Sequence, residues 1–494
     1  MLAWQQLSPA RRIWTASSRE AVRLRNAGRA FRRAAVGIVL LLVAASFPLR
    51  AGETGGPASL ADLFEQRVKS VVAVEFFVET ETERRPSTVI GMVADDHGLI
   101  VLLDTAIPGW LPPAQLKDFR VYAPGSRDGI PAEYLGQDFL TGWHFLRVGE
   151  ALRSRLASCT GYPAAVPRMG DEVWGIGIMG KEFDFQPFLL SGRVALLQEL
   201  PQQVGFAMQD VASPGAPVFS RDGSLVGWGG NAVTQERVLF LQEERYNVGL
   251  QNANGTGSFF LAREVLPYLG RAPSAPTGQE VPWLGLVGLQ PVEPEVAEFL
   301  KLSDQAAVVV SDVIKGGPAA NAGVNKRDII VTLDDKPFPR FRPERVVTTF
   351  FEHEILQRHP GDVVRLGIVR DNVRSDVAVT VGRQPKPLKE AGREYFERLG
   401  ITVREFVLYD AISRRLTESE TQGVIANFVK PNSPANAAGL QQGDLIREVD
   451  GQPVTTFAEA VQLLRAIATN ATRTEFVLLI SRGAETQVIR VRLK

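Results

Sequence analysis

The sequence predicts a mainly β protein of about three domains, and three observations support this prediction. Its 494 residues exceed what one hydrophobic core serves, which suggests about three domains. From about residue 60 to residue 270, short apolar segments alternate with glycine, proline and aspartate turns, which is typical of β-barrels and sandwiches. The C-terminal part contains one local pattern twice. An apolar content of 45% and a charged content of 22% fit ordinary globular domains.

The N-terminal residues have the pattern of an export signal. Three arginines between positions 29 and 33 precede the apolar run Ala34–Leu49, and Ala51 is a small residue suited to cleavage. The run is shorter than the ~20 residues of a spanning helix, although an uncleaved membrane anchor stays open as an alternative. We therefore predict a signal peptide at residues 1–51 and a mature chain that begins near Gly52.

The charge distribution argues against a nucleic-acid partner. The formal net charge is zero, but the first 50 residues hold nine Arg and one Glu. The rest of the chain is therefore acidic, whereas a nucleic-acid binder shows a basic patch or stripe. The single cysteine, Cys159, excludes an intramolecular disulfide.

Residues 60–270 form the predicted β-domain. An amphipathic segment, Leu60–Ser70, predicts a short helix, and the alternating run Val71–Val78 predicts the first strand. Further strands are predicted at Val89–Val93, Leu99–Leu103, Val173–Ile178, Gly192–Leu197 and Leu225–Trp228. The polar, proline-containing residues 271–280 predict a linker.

The repeated pattern follows that linker in two copies. In each copy a Pro-Ala pair predicts a one-turn helix, a glycine ends it, and an aspartate leads into an apolar strand. These positions are Pro318, Gly323 and Asp328 in the first copy, and Pro434, Gly439 and Asp444 in the second. A Leu-Gly-aliphatic triplet precedes each copy, Leu284-Gly285-Leu286 and Leu399-Gly400-Ile401.

Both copies resemble PDZ domains, and the preceding domain resembles a trypsin-type protease. Together they resemble the HtrA/Deg family of envelope proteases over about residues 60–494. Supporting segments are Met169–Gly177, Leu190–Leu197, Gln209-Asp210, Asp222–Trp228 and Gly257–Ala262. The resemblance implies a double β-barrel at 60–270 and two α+β PDZ domains with partly open barrels, at 281–384 and 395–494, separated by a linker at 385–394.

The sequence departs from this family at the catalytic positions. A serine protease needs a serine nucleophile, a histidine base and a carboxylate that orients the base. Thr105, Gly142 and Pro214 occupy the three positions. The segment Asp210–Gly215 is also shorter than the family pattern, in the loop whose amides would form the oxyanion hole. We therefore predict no catalytic residues.

The remaining candidates for catalysis or metal binding are weak. Ser213 adjoins the lost nucleophile position, but a base must lie within hydrogen-bond reach of it. Of the two histidines in this domain, His97 is predicted in a turn and His144 in a strand, where it packs or faces solvent. No Cys or His spacing indicates a metal site, and no cofactor is predicted.

The resemblance implies that each PDZ domain binds an extended peptide between a strand and a helix. The Leu-Gly-aliphatic triplets would present amides to a terminal carboxylate. In the second domain Val461 and Leu464 lie on one helix face that could line the groove. We expect the second domain to bind better, because Lys326 and Arg327 stand where the first domain should have a glycine; the first could instead pack against the barrel or a partner.

These observations predict an exported HtrA-like pseudoprotease that binds C-terminal peptides or unfolded proteins. It would serve as scaffold, chaperone or regulator in quality control of the periplasm or cell envelope. The resemblance implies a trimer-based homo-oligomer. Two alternatives stay open: an active serine endopeptidase with a displaced nucleophile, and a regulatory subunit that forms hetero-oligomers with an active relative.

Overall fold

The computed structural model describes residues 59–198, 203–230, 257–302, 305–341, 344–414, 416 and 422–493. The chain divides into two units, Met1–Gly55 and Gly56–Lys494, and all described residues belong to the second. The predicted signal peptide at 1–51 lies outside the described residues. Within them, no helix combines the length and apolar character needed to cross a membrane.

The first barrel follows a capped helix, α1 (Leu60–Arg67). The Ser59 hydroxyl accepts a hydrogen bond from the Asp62 N–H, and the Asp62 carboxylate accepts one from the Ser59 N–H, which fixes the start of the helix. Six strands close in the order β1-β2-β3-β6-β5-β4. They are β1 (Val71–Glu79), β2 (Arg84–Val93), β3 (Leu99–Leu102), β4 (Leu116–Tyr122), β5 (Ile130–Gln137) and β6 (His144–Val148).

The second barrel has the same plan and lies after a short helix, α2 (Glu150–Arg153). Its strands close in the order β10-β11-β12-β9-β8-β7, and helix α3 (Ala262–Val265) follows. They are β7 (Glu172–Ile178), β8 (Pro187–Gln198), β9 (Val204–Ala207), β10 (Pro217–Ser220), β11 (Leu225–Gly229) and β12 (Ser258–Leu261). The predicted mainly β class and double barrel are confirmed.

Residues from both barrels meet in an aromatic cluster. The rings of Trp143, from the first barrel, and Trp228, from the second, meet edge to face with centroids 4.8 Å apart, and Tyr268 contacts Trp143 at 6.3 Å. Cys159 is fully buried in the same cluster. Burial raises the pKa of the Cys159 thiol to about 12.

The first PDZ domain is built around a sheet with the order β15-β16-β18-β20-β21. Its helices are α4 (Pro294–Phe299), α5 (Pro318–Asn321) and α6 (Val346–Leu356). Its strands are β13 (Pro282–Trp283), β14 (Leu286–Val287), β15 (Gln290–Pro291), β16 (Val308–Val309), β17 (Asp312–Val313), β18 (Ile329–Leu333), β19 (Lys336–Pro337), β20 (Val363–Arg370), β21 (Val373–Thr380) and β22 (Gly382–Arg383).

The second PDZ domain has a longer sheet path, β23-β24-β25-β26-β28-β29. Its helices are α7 (Leu408–Arg414), α8 (Pro434–Ala437) and α9 (Phe457–Thr469). Its strands are β23 (Arg393–Phe396), β24 (Ile401–Glu405), β25 (Val424–Val429), β26 (Leu445–Val449), β27 (Gln452–Pro453), β28 (Glu475–Arg482) and β29 (Glu485–Arg492).

Each PDZ domain contains an ion pair between a buried aspartate and a partly exposed arginine. The Asp328 carboxylate is buried and accepts hydrogen bonds from the Arg370 guanidinium at 2.7 Å. Asp444 and Arg482 form the equivalent pair at 2.6–2.7 Å. A bidentate arginine satisfies a carboxylate withdrawn from water. The aspartate that the sequence repeat singles out therefore ties the loop before a central strand to a later strand.

The residue before each aspartate adopts the left-handed conformation in both domains. Arg327 has φ = 72° and Gly443 has φ = 92°. In both cases the backbone N–H donates to a carbonyl at 2.8 Å, of Val310 directly after β16 and of Ala426 in β25. The first domain thus keeps the turn without the glycine, and the Cβ of Arg327 makes this conformation unfavourable by ~1–2 kcal/mol.

Replacing Arg327 with glycine is expected to stabilise the first PDZ domain by about 1 kcal/mol, since relief of the left-handed strain exceeds the extra entropy of an unfolded glycine. Hydrogen exchange of the β18 amides should slow by roughly fivefold in the full chain. Arg327→Ala keeps the strain and is the matched control. An equal gain in Arg327→Ala would show that the arginine side chain, not the backbone, causes the cost.

Candidate functional site

The three positions predicted to replace the triad lie on loops of the double barrel. Thr105 is exposed in a single helical turn after β3, and its N–H donates to the Asp104 carboxylate. Gly142 closes the turn before β6 with φ = 75°, and its N–H donates to the Asp138 carbonyl at 2.8 Å. Pro214 is exposed in the loop before β10. None of these side chains carries a base or a carboxylate.

The amides of residues 213, 215 and 216, at the end of the loop before β10, have acceptors within the chain. The Ser213 N–H donates to the Ile176 carbonyl at 3.1 Å, the Gly215 N–H to the Gly229 carbonyl at 2.8 Å, and the Ala216 N–H to the Ser213 carbonyl at 3.0 Å. Proline has no N–H to offer. An oxyanion hole needs amides that point at the substrate, and residues 213–216 present none.

Tight packing holds this loop in place. Gly215 has φ = 90°, and a Cβ there would clash with the Ile90 carbonyl oxygen on β2 of the first barrel. Only glycine allows so close an approach in this conformation. The Ser213 hydroxyl accepts a hydrogen bond from the Ile178 N–H at 3.3 Å, which draws it towards β7.

Neither barrel histidine is hydrogen-bonded to Ser213. His144 is buried, with its Nδ1 2.8 Å from the Tyr134 hydroxyl and its Nε2 3.2 Å from the Ile107 carbonyl oxygen. It therefore packs in the first barrel. His97 lies in the exposed turn before β3, whereas Thr105 follows β3, so the two occupy opposite ends of that strand.

The carboxylate nearest to Gly142 in sequence, that of Asp138, also has hydrogen-bond partners within the chain. Asp138 is buried and accepts hydrogen bonds from the Arg271 guanidinium at 3.2 Å and from the Thr141 N–H at 2.9 Å. Arg271 is the first residue of the predicted linker, and its guanidinium also lies over the Phe139 ring. The ion pair between Arg271 and Asp138 thus connects the chain after the second barrel to a turn of the first barrel.

The first PDZ domain has a cavity of about 530 Å³ between its Leu-Gly turn and helix α6. The Leu-Gly-Leu triplet predicted to bind peptide borders the cavity, and Trp283, Phe351 and Ile355 contribute apolar surface. Strand β14 has β17 as its strand partner among the described residues. The cavity therefore lies where a peptide would add to the edge of a strand.

The barrel and the linker between the PDZ domains complete the wall of this cavity. Gln137 and Phe139 of the first barrel border it, together with Pro387 and Lys389 of the linker. The Lys389 ammonium donates to the Gln137 side-chain oxygen at 2.6 Å, and Gln279 donates to the Gln137 carbonyl at 2.7 Å. The groove of the first PDZ domain is thus shared among three parts of the chain.

Two ionisable side chains of helix α6 face the same cavity. Burial raises the pKa of the Glu352 carboxyl, and burial lowers the pKa of the neighbouring His353 imidazole. Both shifts favour the neutral forms.

The two Leu-Gly turns have the same backbone geometry. Gly285 has φ = 78° and Gly400 has φ = 73°. The Gly285 carbonyl accepts from Ile314 N–H, and the Gly400 carbonyl accepts from Lys430 N–H, both at 2.8 Å. The triplets that the sequence singles out are therefore equivalent turns in the two domains.

The chain before these turns runs differently in the two domains. Before Gly285, β13 pairs with β22. Before Gly400, β23 instead pairs antiparallel with β24, from Arg393 opposite Arg404 to Phe396 opposite Ile401. The Gly400 N–H donates to the Phe396 carbonyl at 2.8 Å. A strand of the chain itself therefore lies where a ligand of the second domain would pair.

Sequence reasoning missed this strand because it assigned residues 385–394 to a linker. The available signal was the spacing: an Arg-Glu-Tyr-Phe segment and the apolar β24 flank four turn residues, which is compatible with a β-hairpin.

Three other residues predicted to bind peptide in the second domain, Leu399, Val461 and Leu464, lie in the core or next to strand β23. Leu399 and Leu464 are fully buried in the domain core, in a cluster that includes Phe396. Val461 is half-buried and borders a shallow surface pocket together with Glu394 of β23. That the second domain binds peptide better stays a prediction, and the cavity of about 530 Å³ beside a Leu-Gly turn belongs to the first domain.

Comparison with known proteins identifies the parts of the chain. Models of the PDZ domain match residues 285–381 and 427–478. A probable periplasmic serine endoprotease DegP-like of Chlamydia muridarum is 32% identical over 205 residues, covering 41% of this chain and 37% of that protein. The protein with the same description from Pseudomonas fulva is 28% identical over 309 residues, or 59% of this chain and 58% of the relative. The chain thus matches less than two thirds of each.

Solved structures give a weaker similarity. The HtrA-type protease AlgW with tripeptide has 18% sequence identity and a TM-score of 0.47, and the match covers 67% of this chain and 99% of that one. The serine endoprotease from Yersinia pestis has 18% identity and a TM-score of 0.44, with the same coverage.

The assignment therefore rests on the order of the domains and on the sequence matches. A pair of six-stranded barrels precedes two PDZ domains, and the sequence is similar to DegP-like endoproteases. The chain therefore has the domain order of the HtrA/DegP family and is similar in sequence to its DegP-like members.

Proposed function

We propose that this protein is an exported member of the family without proteolytic activity, which binds C-terminal peptides or unfolded proteins through its PDZ domains. It would act as a scaffold, chaperone or regulator in protein quality control of the cell envelope. The observation that carries the proposal is the loop before β10, whose amides at Ser213, Gly215 and Ala216 all donate within the chain.

The catalytic part of the proposal follows from chemistry. Acyl transfer needs a nucleophile, a base in contact with it and donors for the oxyanion. Thr105, Gly142 and Pro214 supply no base, carboxylate or nucleophile in these roles. A displaced nucleophile at Ser213 is the alternative, but the two barrel histidines have other hydrogen-bond partners or lie in a distant turn.

The binding part of the proposal follows from the cavity of the first PDZ domain. An extended peptide would pair with β14 and place an apolar terminal side chain among Leu286, Phe351 and Ile355. The amides near Gly285 would then receive the terminal carboxylate. These features together favour an extended peptide with a free, apolar C-terminus as the ligand of this groove.

Localisation and assembly are proposed from the relatives and the sequence. The similar DegP-like proteins are described as periplasmic. Export by a signal at residues 1–51 would place this chain in the same compartment. A trimer-based homo-oligomer, or a hetero-oligomer with an active relative, would use the double barrel as its platform, and co-purification from the native cell distinguishes the two.

Purified protein is expected not to hydrolyse casein, with turnover at least ~10⁴-fold below that of an intact serine protease. The measurement is release of fluorescent fragments from labelled casein, and labelling by a fluorophosphonate probe reports any activated serine. Ser213→Ala is the matched control and should behave like the wild type. Hydrolysis that disappears in this variant would establish the displaced-nucleophile alternative.

A peptide with a free, apolar C-terminus is expected to bind the first PDZ domain. Leu286→Ala should weaken binding about tenfold, because a buried leucine contributes ~1.5–3 kcal/mol of apolar contact. Val287→Ala removes the next side chain, on the other face of β14, and is the matched control.

Fluorescence polarisation measures both variants against a labelled peptide and its C-terminal amide. The amide should bind more weakly, because the amides near Gly285 would lose a charged acceptor. Equal loss in the two variants, or equal affinity for acid and amide, would contradict binding in this groove.

The mature protein is expected to begin near Gly52. N-terminal sequencing of protein from the native cell envelope measures this. Retention of Ala34–Leu49 would instead indicate the membrane-anchor alternative.

A further inference from the structure

The groove of the second PDZ domain contains a segment of the chain itself. Strand β24 has β25 on one side and β23 on the other. An extended peptide that joins a PDZ domain adds to the free edge of the strand after the Leu-Gly turn and lies beside the helix. In this domain β23 occupies that edge, and it contacts helix α9.

The direction and side chains of β23 are those of a peptide ligand. Its C-terminal residue, Phe396, lies opposite Ile401 at the Leu-Gly turn. The Phe396 ring is buried in the domain core together with Leu464. The Phe396 carbonyl accepts the hydrogen bond that the Gly400 N–H would give to a terminal carboxylate.

A second contact holds the strand against helix α9. The Glu394 carboxylate, two residues before Phe396, accepts a hydrogen bond from the Arg465 guanidinium at 2.7 Å. An aromatic side chain inside the pocket and a carboxylate on the helix together define what this groove recognises.

The first PDZ domain provides an internal comparison. There β13 pairs with β22, and β14 has β17 as its strand partner among the described residues. The chain before the Leu-Gly turn borders the cavity through Trp283, but in the described part of the chain it does not pair with β14. Both domains have the same turn, with Gly285 at φ = 78° and Gly400 at φ = 73°. The occupied groove is therefore not a requirement of the turn itself.

We propose that residues Arg393–Phe396 are a tethered ligand of the second PDZ domain. This groove binds C-terminal peptides that have an acidic residue two positions before a terminal aromatic residue, and such a peptide enters only when β23 leaves. The inference rests on the peptide-binding function proposed above and extends it to the ligand class and regulation of the second groove.

The tether makes the strand a strong competitor. A segment joined by a short connection acts at an effective concentration in the millimolar range or above. A free peptide with the same contacts then binds the wild type only when its concentration approaches that value. Weakening the tethered strand should raise the apparent affinity of the peptide by the same factor.

The first experiment uses the wild-type chain and hydrogen exchange. The probe is a synthetic peptide that ends in Arg-Glu-Tyr-Phe with a free carboxylate, added at millimolar concentration. The amides of Arg393–Phe396 should exchange faster, while those of Ile401–Glu405 stay protected because the peptide replaces the strand. Unchanged exchange at 393–396 with the peptide at saturation would overturn the proposal.

The second experiment weakens the strand through its ion pair. Glu394→Arg removes the pair with Arg465 and sets two cations together, so it should raise the affinity of the labelled peptide about fivefold. Glu397→Arg makes the same charge change on the exposed turn beside the strand and is the matched control. Equal affinity of wild type and Glu394→Arg would contradict the model.

Each variant also carries Leu286→Ala, which weakens the first groove, so that binding reports the second. One outcome is that Leu286→Ala alone abolishes peptide binding and that Glu394→Arg brings no gain in peptide affinity. This outcome would refute the tethered ligand and leave the proposed function of the first groove intact. A gain in Glu394→Arg without any Leu286-dependent binding would support the tethered ligand and refute the first groove. A thermal melt confirms that each variant is folded.

Discussion

Backbone N–H groups that leave water need acceptors, and this requirement shapes both sites of the molecule. In the barrel, the amides at Ser213, Gly215 and Ala216 donate to carbonyls of their own domain. In the second PDZ domain, the Gly400 amide donates to the carbonyl of Phe396. Proteolysis would need free N–H donors in the barrel for a substrate, and peptide binding would need them in the PDZ domain for a ligand. Here these N–H groups donate to carbonyls of the chain itself.

The two cases differ in how permanent the internal acceptor is. The loop before β10 is fixed by covalent chemistry and close packing, since Pro214 has no N–H and Gly215 lies against the Ile90 carbonyl. Strand β23 is held by its hairpin with β24, by the buried Phe396 ring, by the Tyr395 ring against Phe428 and by a partly exposed ion pair, which are the contacts that the proposed competing peptide would replace.

The sequence predicted most of the fold, because its local patterns match the local structure. Alternation located strands such as Val71–Glu79, and the repeated Pro-Ala and Asp positions located one short helix and the following central strand of each PDZ domain. Pairings between distant segments were not predictable in the same way. The segment Arg393–Phe396 looked like the end of a linker, since only its contacts with β24 and helix α9 make it a strand.

The candidate site shows the same division. The assignment of Thr105, Gly142 and Pro214 to the triad positions comes from local motifs of the sequence and stays a prediction. The cavity of the first PDZ domain could not be predicted from the sequence, because the barrel turn around Gln137 and the linker at Lys389 complete its wall. A pattern that stops at the domain boundary cannot show a groove to which three segments contribute.

The buried thiol of Cys159 has a consequence for how the protein matures. It is the only cysteine of the chain, it lies fully inside the aromatic cluster between the barrels, and burial raises its pKa to about 12. The reactive thiolate is therefore scarce at neutral pH, and the chain has no second thiol to pair with. Folding of this chain should thus be indifferent to the redox poise of the compartment and independent of disulfide-forming enzymes.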